Sequence, residues 1–422
     1  MSSLVLTNDQ QTAYQEFVKF IVSKKEDIFV LKGYAGTGKT ALVKHLRESL
    51  PNIFKTRKLL TGSDQQFDVA ITATTHKAAQ ALSQEIEYPV VTIHSLLALT
   101  VVFDQKTRKN TLRPRTGTEN ILIENHIIFI DEASFIGHVL LSWIRTRTNK
   151  CKLVFIGDPA QLLDVGSTYS PVFSVPMPGA EMKQIVRQKE DSPIAHLAAK
   201  FRDVLETNEF FSFVPDGKVI QHLPRDEFNA CLSKEFLRKD WDYEESKVLT
   251  WTNKGAIAYN NALTNELTGT PLFKKGDYAV VNKYIRSKGG IFVNEQIVHI
   301  TECTPYTCEG IDGFKILLDN KATVFFPKEW RSEAQVLRYL TERYNNNSVQ
   351  TNSKIENFMH LYADLRAAFA CTINKSQGST YDRVFIDLDD VSKCKNGSQL
   401  ARLLYVAVSR ARSGVVFTGD LV

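Results

Sequence analysis

Gly33-Tyr34-Ala35-Gly36-Thr37-Gly38-Lys39-Thr40 fits the phosphate-loop pattern G-x-x-x-x-G-K-[ST]. The apolar run Ile28 to Leu31 precedes it and Ala41-Leu42-Val43-Lys44-His45-Leu46 follows, so the stretch reads as a loop joining a buried strand to a helix. Glycines let successive N–H groups along Gly33, Ala35, Gly36, Thr37 and Gly38 turn toward one anion, and the helix N-terminus adds partial positive charge. Lys39 is then placed to reach the β- and γ-phosphates of a nucleotide, and the Thr40 hydroxyl to hold Mg²⁺. A glycine turn that binds nothing is the alternative, and the flanking strand and helix weigh against it.

The chain has 422 residues, too many for one core, and its 43% hydrophobic and 23% charged content is ordinary globular composition. No apolar run approaches the ~20 residues of a membrane helix. The start, MSSLVLTNDQQTAYQEF, has neither a basic n-region nor an apolar h-region. A soluble protein of the cytoplasm is expected, with no membrane partner. The six cysteines include no C-x-x-C, so reduced thiols are expected rather than zinc, and Cys303 and Cys308 read as a strand and its turn. A net charge of +5 permits nucleic-acid binding, and Lys106, Arg108, Lys109, Arg113 and Arg115 cluster tightly.

Strand-like runs at Ile28 to Leu31, Val69 to Thr72, Ile127 to Ile130 and Leu153 to Ile156 alternate with helical patterns, as in a parallel α/β sheet. A second set follows at Val248 to Trp251, Ala367 to Ile373, Val384 to Leu388 and Val415 to Thr418, with a helix expected over Gln399 to Arg412. Between them, short strands near 276–281, 291–300 and 314–318 predict a small β-barrel inserted into the second lobe. Asn345-Asn346-Asn347-Ser348 reads as a loop tip.

Ile127 to Ile130 runs into Asp131 and Glu132, so two acids stand at the carboxyl end of a buried strand, where parallel sheets bind ligands. Asp131 is a candidate Mg²⁺ ligand and Glu132 a candidate for orienting and deprotonating water; a helix cap is the other reading. Leu153 to Ile156 ends similarly in Gly157-Asp158-Pro159-Ala160-Gln161, where the Gln161 amide could touch a γ-phosphate, or the segment could be a plain turn.

In that order, Gly33 to Thr40, Asp131-Glu132-Ala133-Ser134 and Gly157 to Leu162 resemble motifs I, II and III of superfamily 1 helicases. Arg187, Thr372 to Thr380 and Tyr405 to Arg412 resemble motifs IV, V and VI. The layout is similar to the RecD-like branch, and within it to the Dda type of T-even bacteriophages, which would make the cytoplasm a host's.

The resemblance implies an α/β fold of two RecA-like parallel-sheet lobes, with a β-hairpin pin in the first and an SH3-like β-barrel in the second. It implies domain 1A at 1–96 and 118–190, pin 1B at 97–117, domain 2A at 191–275 and 366–422, and domain 2B with an extended arm at 276–365, with Phe358 and Tyr362 assigned to that arm. ATP with Mg²⁺ is the implied cofactor, hydrolysed between the lobes. Arg187 and Arg410 take the place of arginine fingers, Gln10 that of an adenine-reading amide, and Gln377 and Gly378 lie in a nucleotide-facing motif.

For DNA, Thr74, His76 and Lys77 resemble motif Ia and His94 motif Ib; capping or packing is the other reading of His76. Trp251, followed by Thr252 and Asn253, matches a base-stacking position, or is a core tryptophan. Asn374, Lys375 and Thr380 fall in motif V, where relatives commonly carry His at the position of Asn374. In the pin, relatives carry an aromatic on the returning arm; here Phe103 on the first arm or Leu112 would have to serve. The implied activity is a monomeric, ATP-dependent, 5′ to 3′ translocase and helicase acting on single-stranded, forked or tailed DNA, with a single-strand-binding or replisome protein as a further partner. The alternative is a nucleotide-switched DNA-binding protein that displaces other proteins without separating strands.

Overall fold

The computed structural model describes residues 6–104, 109–164, 167, 169–186, 192–269, 273–283, 285–287, 289–319, 321–328, 333–343, 355 and 358–421. Arg187 and the 345–348 loop tip lie outside them, as do the side chains of Phe103 and Lys109. The chain divides into two compact units, Met1–Phe213 with Asn396–Arg412, and Val214–Lys395 with Ser413–Val422.

In chain order the first elements are α1 (Asn8–Val22), β1 (Ile28–Gly33), α2 (Lys39–Thr61), β2 (Asp68–Ala73), α3 (His76–Ile86), β3 (Val90–Thr92), α4 (Ile93–Leu96), β4 (Leu99–Asp104) and β5 (Lys109–Pro114). Then come β6 (Ile123–Glu124), β7 (His126–Asp131), α5 (His138–Thr146), β8 (Thr148–Asn149), β9 (Lys152–Gly157), β10 (Gly179–Met182) and α6 (Pro193–Thr207). The second unit holds β11 (Ile220–His222), α7 (Arg225–Phe236), β12 (Ser246–Thr250), α8 (Asn253–Thr268), β13 (Tyr278–Val281), β14 (Ile285–Ser287), β15 (Gly290–Phe292), β16 (Ile297–Cys308), β17 (Ile311–Leu318) and β18 (Ala322–Pro327). It continues with α9 (Glu333–Arg343), β19 (Leu365–Ala367), β20 (Ala370–Thr372), α10 (Ile373–Ser376), β21 (Tyr381–Asp387) and α11 (Leu388–Val391); α12 (Gly397–Ser409) and β22 (Ala411–Thr418) end the chain.

The first unit is built on a six-stranded sheet, ordered β10-β1-β9-β7-β2-β3, whose pairs are all parallel. Its central strands are apolar throughout because both faces are covered. Phe29, Leu31, Ile127, Phe129, Val154 and Ile156 face one core, in which Phe17 of α1 packs edge-on to Phe29 at 5.8 Å. Their neighbours Val30, Ile128, Ile130, Leu153 and Phe155 face a second core under α5. Each fully buried side chain of this size is worth roughly 1.5–3 kcal/mol. The β4–β5 hairpin leaves this unit with Val101 opposite Leu112 and Phe103 opposite Asn110.

The second unit carries a five-stranded sheet, β11-β22-β21-β12-β20, with parallel pairs β11/β22, β12/β21 and β12/β20. A separate antiparallel sheet, β18-β17-β16-β13-β19, has its own core around Ile300, Ile316 and Val324. The single strand expected over Ala367 to Ile373 is in fact two. Ala367 ends β19 in the antiparallel sheet, a bend at 368–369 follows, and Ala370 opens β20 in the parallel one. Asn260 pins that switch, since its side-chain amide donates to Ala370 O at 2.9 Å and accepts the Ala370 N–H at 2.8 Å. Phe358 and Tyr362 lie in a satellite core with Ile311, Phe325, Val336 and Leu340. The final helix stops at Ser409, three residues short of its expected end, and Ala411 begins the last strand.

Candidate functional site

The phosphate loop lies between β1 and α2, and Gly38, the residue before α2, adopts φ 78°. A side chain there would be strained and would also meet the Gln10 amide at 2.6 Å. Gln10 is buried, and its Nε2 donates to Thr37 O at 3.2 Å while its Oε1 accepts the Thr7 N–H at 3.0 Å in a capping box. The amide expected to read adenine is therefore engaged by the chain itself and ties α1 to the loop. Lys39 Nζ donates to Gly33 O at 2.7 Å and Tyr34 O at 3.0 Å. Thr40 follows it in the first turn of α2.

Asp131 ends β7, and Glu132 turns the chain with φ 54° into the 3₁₀ turn Ala133–Phe135. Burial pushes both carboxyls up, Glu132 to about 7, and for Glu132 the neighbouring Asp131 charge adds to the effect. Lys39 opposes the shift in both acids and Arg410 in Glu132, so these four charges share one field. Arg410 is buried at the end of α12, where its Nε donates to Val406 O at 3.2 Å and its Nη2 to Ser409 Oγ at 2.9 Å.

Three further residues complete this centre, and the sequence reading had given none of them a role. Asp158, fully buried after β9, accepts the Ala160 N–H at 2.9 Å on Oδ1 and the Tyr405 hydroxyl at 2.6 Å on Oδ2. Tyr405 in turn accepts the Ala35 N–H at 3.0 Å, and burial drives its phenol well above its ordinary value. Arg402, one turn earlier on α12, donates through Nη1 to Pro159 O at 2.6 Å and Gln161 O at 2.7 Å. Gln161 is buried beside them. Asp158 lay within the stretch that resembles motif III and Tyr405 opened the one that resembles motif VI, while Arg402, three residues before Tyr405 on the same helix, lay outside both.

At the same sheet edge, Ala73 pairs with Asp131, and the hydroxyl of the buried Thr74 donates to Glu132 O at 3.4 Å. His76 and Lys77 open α3, with His76 exposed and Thr75 capping the helix. His94, on α4, is half-buried; burial holds its imidazole below the usual range, and the nearby His76 adds to that. In the second unit, Trp251 follows β12 and is half-buried outside the core clusters, with the exposed Asn253 opening α8. Asp390 fixes this turn: its Oδ2 accepts the N–H groups of Trp251 and Thr252 at 2.8 and 2.7 Å, and its Oδ1 accepts the Thr252 hydroxyl at 2.7 Å.

Asn374 and Lys375 lie on α10, just past β20, at the carboxyl edge that also carries Trp251. Lys375 Nζ donates to Asn282 Oδ1 at 3.2 Å, tying motif V to the start of the antiparallel sheet. Gln377 is buried and Gly378 exposed in the turn that follows. Thr380 does not share that edge. It leads into the amino end of β21, where Arg383 pairs with Ser246, because the chain crosses β12 between the two strands. Phe103 lies on the first arm of the hairpin, while Leu112 packs its side chain against the core below α5.

Residues 5–221, more than half of the chain, match the AAA domain family, and residues 367–418 match the UvrD-like helicase C-terminal domain. Among curated relatives, the ATP-dependent DNA helicase dda of Enterobacteria phage T4 is 24% identical across 98% of this chain and 99% of its own length. Uncharacterized protein R530 of Acanthamoeba polyphaga mimivirus is 22% identical across 97% of this chain and 98% of its own. Among solved structures, Pif1 helicase from Bacteroides in complex with ADP-AlF3 and ssDNA superposes with a TM-score of 0.52 at 16% identity, covering 100% of this chain and 94% of that one. A structure of two coordinating Pif1 helicases at forked dsDNA gives 0.53 at 18%, covering 100% and 93%. The chain belongs to the AAA domain family, with an α/β fold whose parallel sheets form a RecA-like helicase core. Within that class it is a superfamily 1 helicase close to Dda.

Proposed function

We propose that the chain is an ATP-driven translocase on single-stranded DNA that unwinds duplexes in the 5′ to 3′ direction. The enzyme class, an ATP-dependent DNA helicase, follows from the family; the polarity and the roles below are the proposal. The observation that carries it is the convergence on one loop of Lys39, the acid pair Asp131 and Glu132, Arg410, and the Ala35–Tyr405–Asp158 chain of hydrogen bonds.

The loop N–H groups and Lys39 hold the phosphates, with Gln10, Gln377 and Gly378 bordering the nucleotide. Thr40 and Asp131 would hold Mg²⁺; two buried acids with raised pKa values mark crowded negative charge that a cation would neutralise, and the donor set is all oxygen, as Mg²⁺ prefers. Bound there, the metal would supply charge neutralisation at the phosphates. Glu132 orients water and takes its proton, Arg410 and Arg187 stabilise charge on the transferred phosphoryl group, and Gln161 relays the phosphate state toward α12 through its neighbour Arg402.

On the nucleic-acid side, Thr74, His76, Lys77 and His94 bind phosphates in the first unit, and Trp251 stacks a base beside Asn253, Asn374 and Lys375 in the second. ATP turnover alternates the grip of the two units on the strand. The β4–β5 hairpin acts as the pin and the antiparallel sheet as an SH3-like insertion, within the domain limits given above. Single-stranded and forked DNA are the proposed substrates, in keeping with the ssDNA and forked dsDNA named for the Pif1 structures. A monomer acting in the cytoplasm, with a single-strand-binding or replisome protein nearby, completes the reading.

Steady-state ATPase with and without single-stranded DNA, together with unwinding of duplexes bearing a 5′ or a 3′ tail, tests it. Unwinding from the 5′ tail is expected. Unwinding from the 3′ tail alone would overturn the polarity. DNA-stimulated ATPase without strand separation from either tail would make the chain a nucleotide-switched remodeller instead.

A further inference from the structure

A cavity of about 270 Å³ opens in the second unit, lined by no residue given a role above. Phe236, Trp241, Phe273 and Phe369 form its apolar wall, and the Trp241 and Phe369 rings meet at a tilt of 38° with centroids 4.9 Å apart. Lys239, Lys274 and Lys275 stand exposed around it and make no ion pair among the described residues. Arg238, also at the rim, is neutralised by Glu235 and Glu245. The lining's single acid, Asp277, has its carboxyl pushed up by burial and accepts the Lys274 N–H at 2.9 Å. The buried indole N–H of Trp241 has no acceptor among the described residues. A pocket with aromatic walls, an unused donor and a cationic rim fits a ligand that is apolar at its centre and anionic at its edge.

Two classes of macromolecule carry that pattern, a nucleic-acid strand and an acidic peptide, and position decides between them. Phe369 immediately precedes β20, and its carbonyl accepts the Val248 N–H, so the pocket lies toward the amino edge of the parallel sheet. Trp251, Asn253 and Asn374 occupy the carboxyl edge. Thr264 and Leu267 reach the pocket from the last turns of α8, whose first residue is Asn253; its 16 residues make it about 24 Å long. A strand stacked on Trp251 and continuing along that edge leaves the pocket unused. Its volume is also just under the ~300 Å³ at which sites for whole small molecules begin, which suits one large side chain with its flanking backbone.

We propose that this pocket docks an acidic peptide segment of a partner protein, with an aromatic side chain between the Trp241 and Phe273 walls and carboxylates against Lys239, Lys274 and Lys275. Aromatic anchors in such pockets carry most of the affinity in small interfaces, and the charged rim sets rate and salt dependence.

The probe is a fluorescein-labelled peptide of one phenylalanine flanked by aspartates, followed by anisotropy with the full chain. It should bind at least tenfold more tightly than the same peptide with alanine for phenylalanine, and weaken as salt is raised. The surface variant Lys274→Glu/Lys275→Glu should lose at least tenfold in affinity while its DNA-stimulated ATPase stays at the parent level. Equal binding of the phenylalanine and alanine peptides would overturn the pocket's role, and undiminished binding by the charge-reversed variant would overturn the rim's. Displacement of the peptide by oligodeoxythymidylate would assign the surface to nucleic acid and overturn the proposal, whatever the fate of the helicase assignment itself.

Discussion

The Tyr405 hydroxyl donates to Asp158 Oδ2 at 2.6 Å while accepting the Ala35 N–H at 3.0 Å, so a single phenol joins the phosphate loop to the turn after β9. Both side chains are buried, and a carboxylate deprived of a partner in such a place bears its full desolvation penalty. Tyr405→Phe removes the oxygen and keeps the ring. It should lower unfolding free energy by about 1.5–3 kcal/mol, the usual worth of a hydrogen bond to a charged group. ATP turnover should fall about tenfold, because the loop loses the contact that sets Ala35, a change of about 1.4 kcal/mol in barrier. Urea denaturation and steady-state ATPase measure the two, and a variant with parental values of both would remove Tyr405 from the site.

Lys39 bridges the carbonyls of Gly33 and Tyr34 and shares a field with Asp131 and Glu132. Lys39→Ala should reduce ATP hydrolysis by more than about a hundredfold, as loss of one preorganised donor to a developing charge commonly does. Binding of single-stranded DNA should stay within about threefold, since the Lys39 ammonium donates to Gly33 and Tyr34 of its own loop. Substantial ATPase in the variant would sink the assignment of the loop.

The parallel sheets were legible because their strands are buried on both faces and written as unbroken apolar runs, such as Ile127 to Ile130 and Leu153 to Ile156. The placement of Lys39 was legible because it closes a glycine loop and opens a helix, and that of Asp131 and Glu132 because they follow directly on an apolar strand. Asp158 and Tyr405 were not, since their meeting depends on packing between segments 247 positions apart in sequence. The break between β19 and β20 was hidden for a related reason. Residues 367–373 are apolar enough for one strand, and the bidentate grip of Asn260 on Ala370 marks where one sheet gives way to the other.

Asp390 holds the turn that presents Trp251. Burial acts to raise its carboxyl, but the Lys393 ammonium together with the N–H and hydroxyl of Thr252 more than offsets this and holds it below the usual carboxylate range. A folded-state value below the unfolded one means that its stabilisation is complete above about pH 3.9 and fades as pH falls through the lower folded value. Asp390→Asn should therefore destabilise the protein at neutral pH, with the gap to the parent narrowing below about pH 4. The variant should also bind single-stranded DNA about tenfold more weakly, in line with the ~1–3 kcal/mol of one base-stacking contact. Denaturation at several pH values and a DNA titration check both. A gap that widens on acidification would contradict the sign.

Under the proposed function the hairpin is the element that separates unwinding from mere ATP turnover, and its base is fastened by one buried cation. Arg147, only 3% exposed, donates through Nη1 to Leu97 O at 2.7 Å and through Nη2 to Thr118 O at 2.9 Å and Glu119 O at 3.1 Å, on both sides of the hairpin. The Arg115 N–H reinforces the closure by donating to Ala98 O at 2.9 Å. Beyond this clamp, Val101 of β4 is 58% exposed, an apolar side chain left largely open to solvent. Arg147→Met keeps much of the side chain's apolar stem but leaves three carbonyls without their donor, so it should cost stability by about 1–3 kcal/mol. It should also reduce base pairs opened per ATP severalfold while DNA-stimulated ATPase stays within about twofold, since the nucleotide site does not use Arg147. Val101→Asp tests the same element without touching the clamp, and as a surface change it should alter stability by less than about 0.5 kcal/mol. Loss of strand separation in both variants, measured on a 5′-tailed duplex beside ATPase, assigns the separating role to the hairpin. Full unwinding by both would leave the hairpin without that role even if translocation were intact.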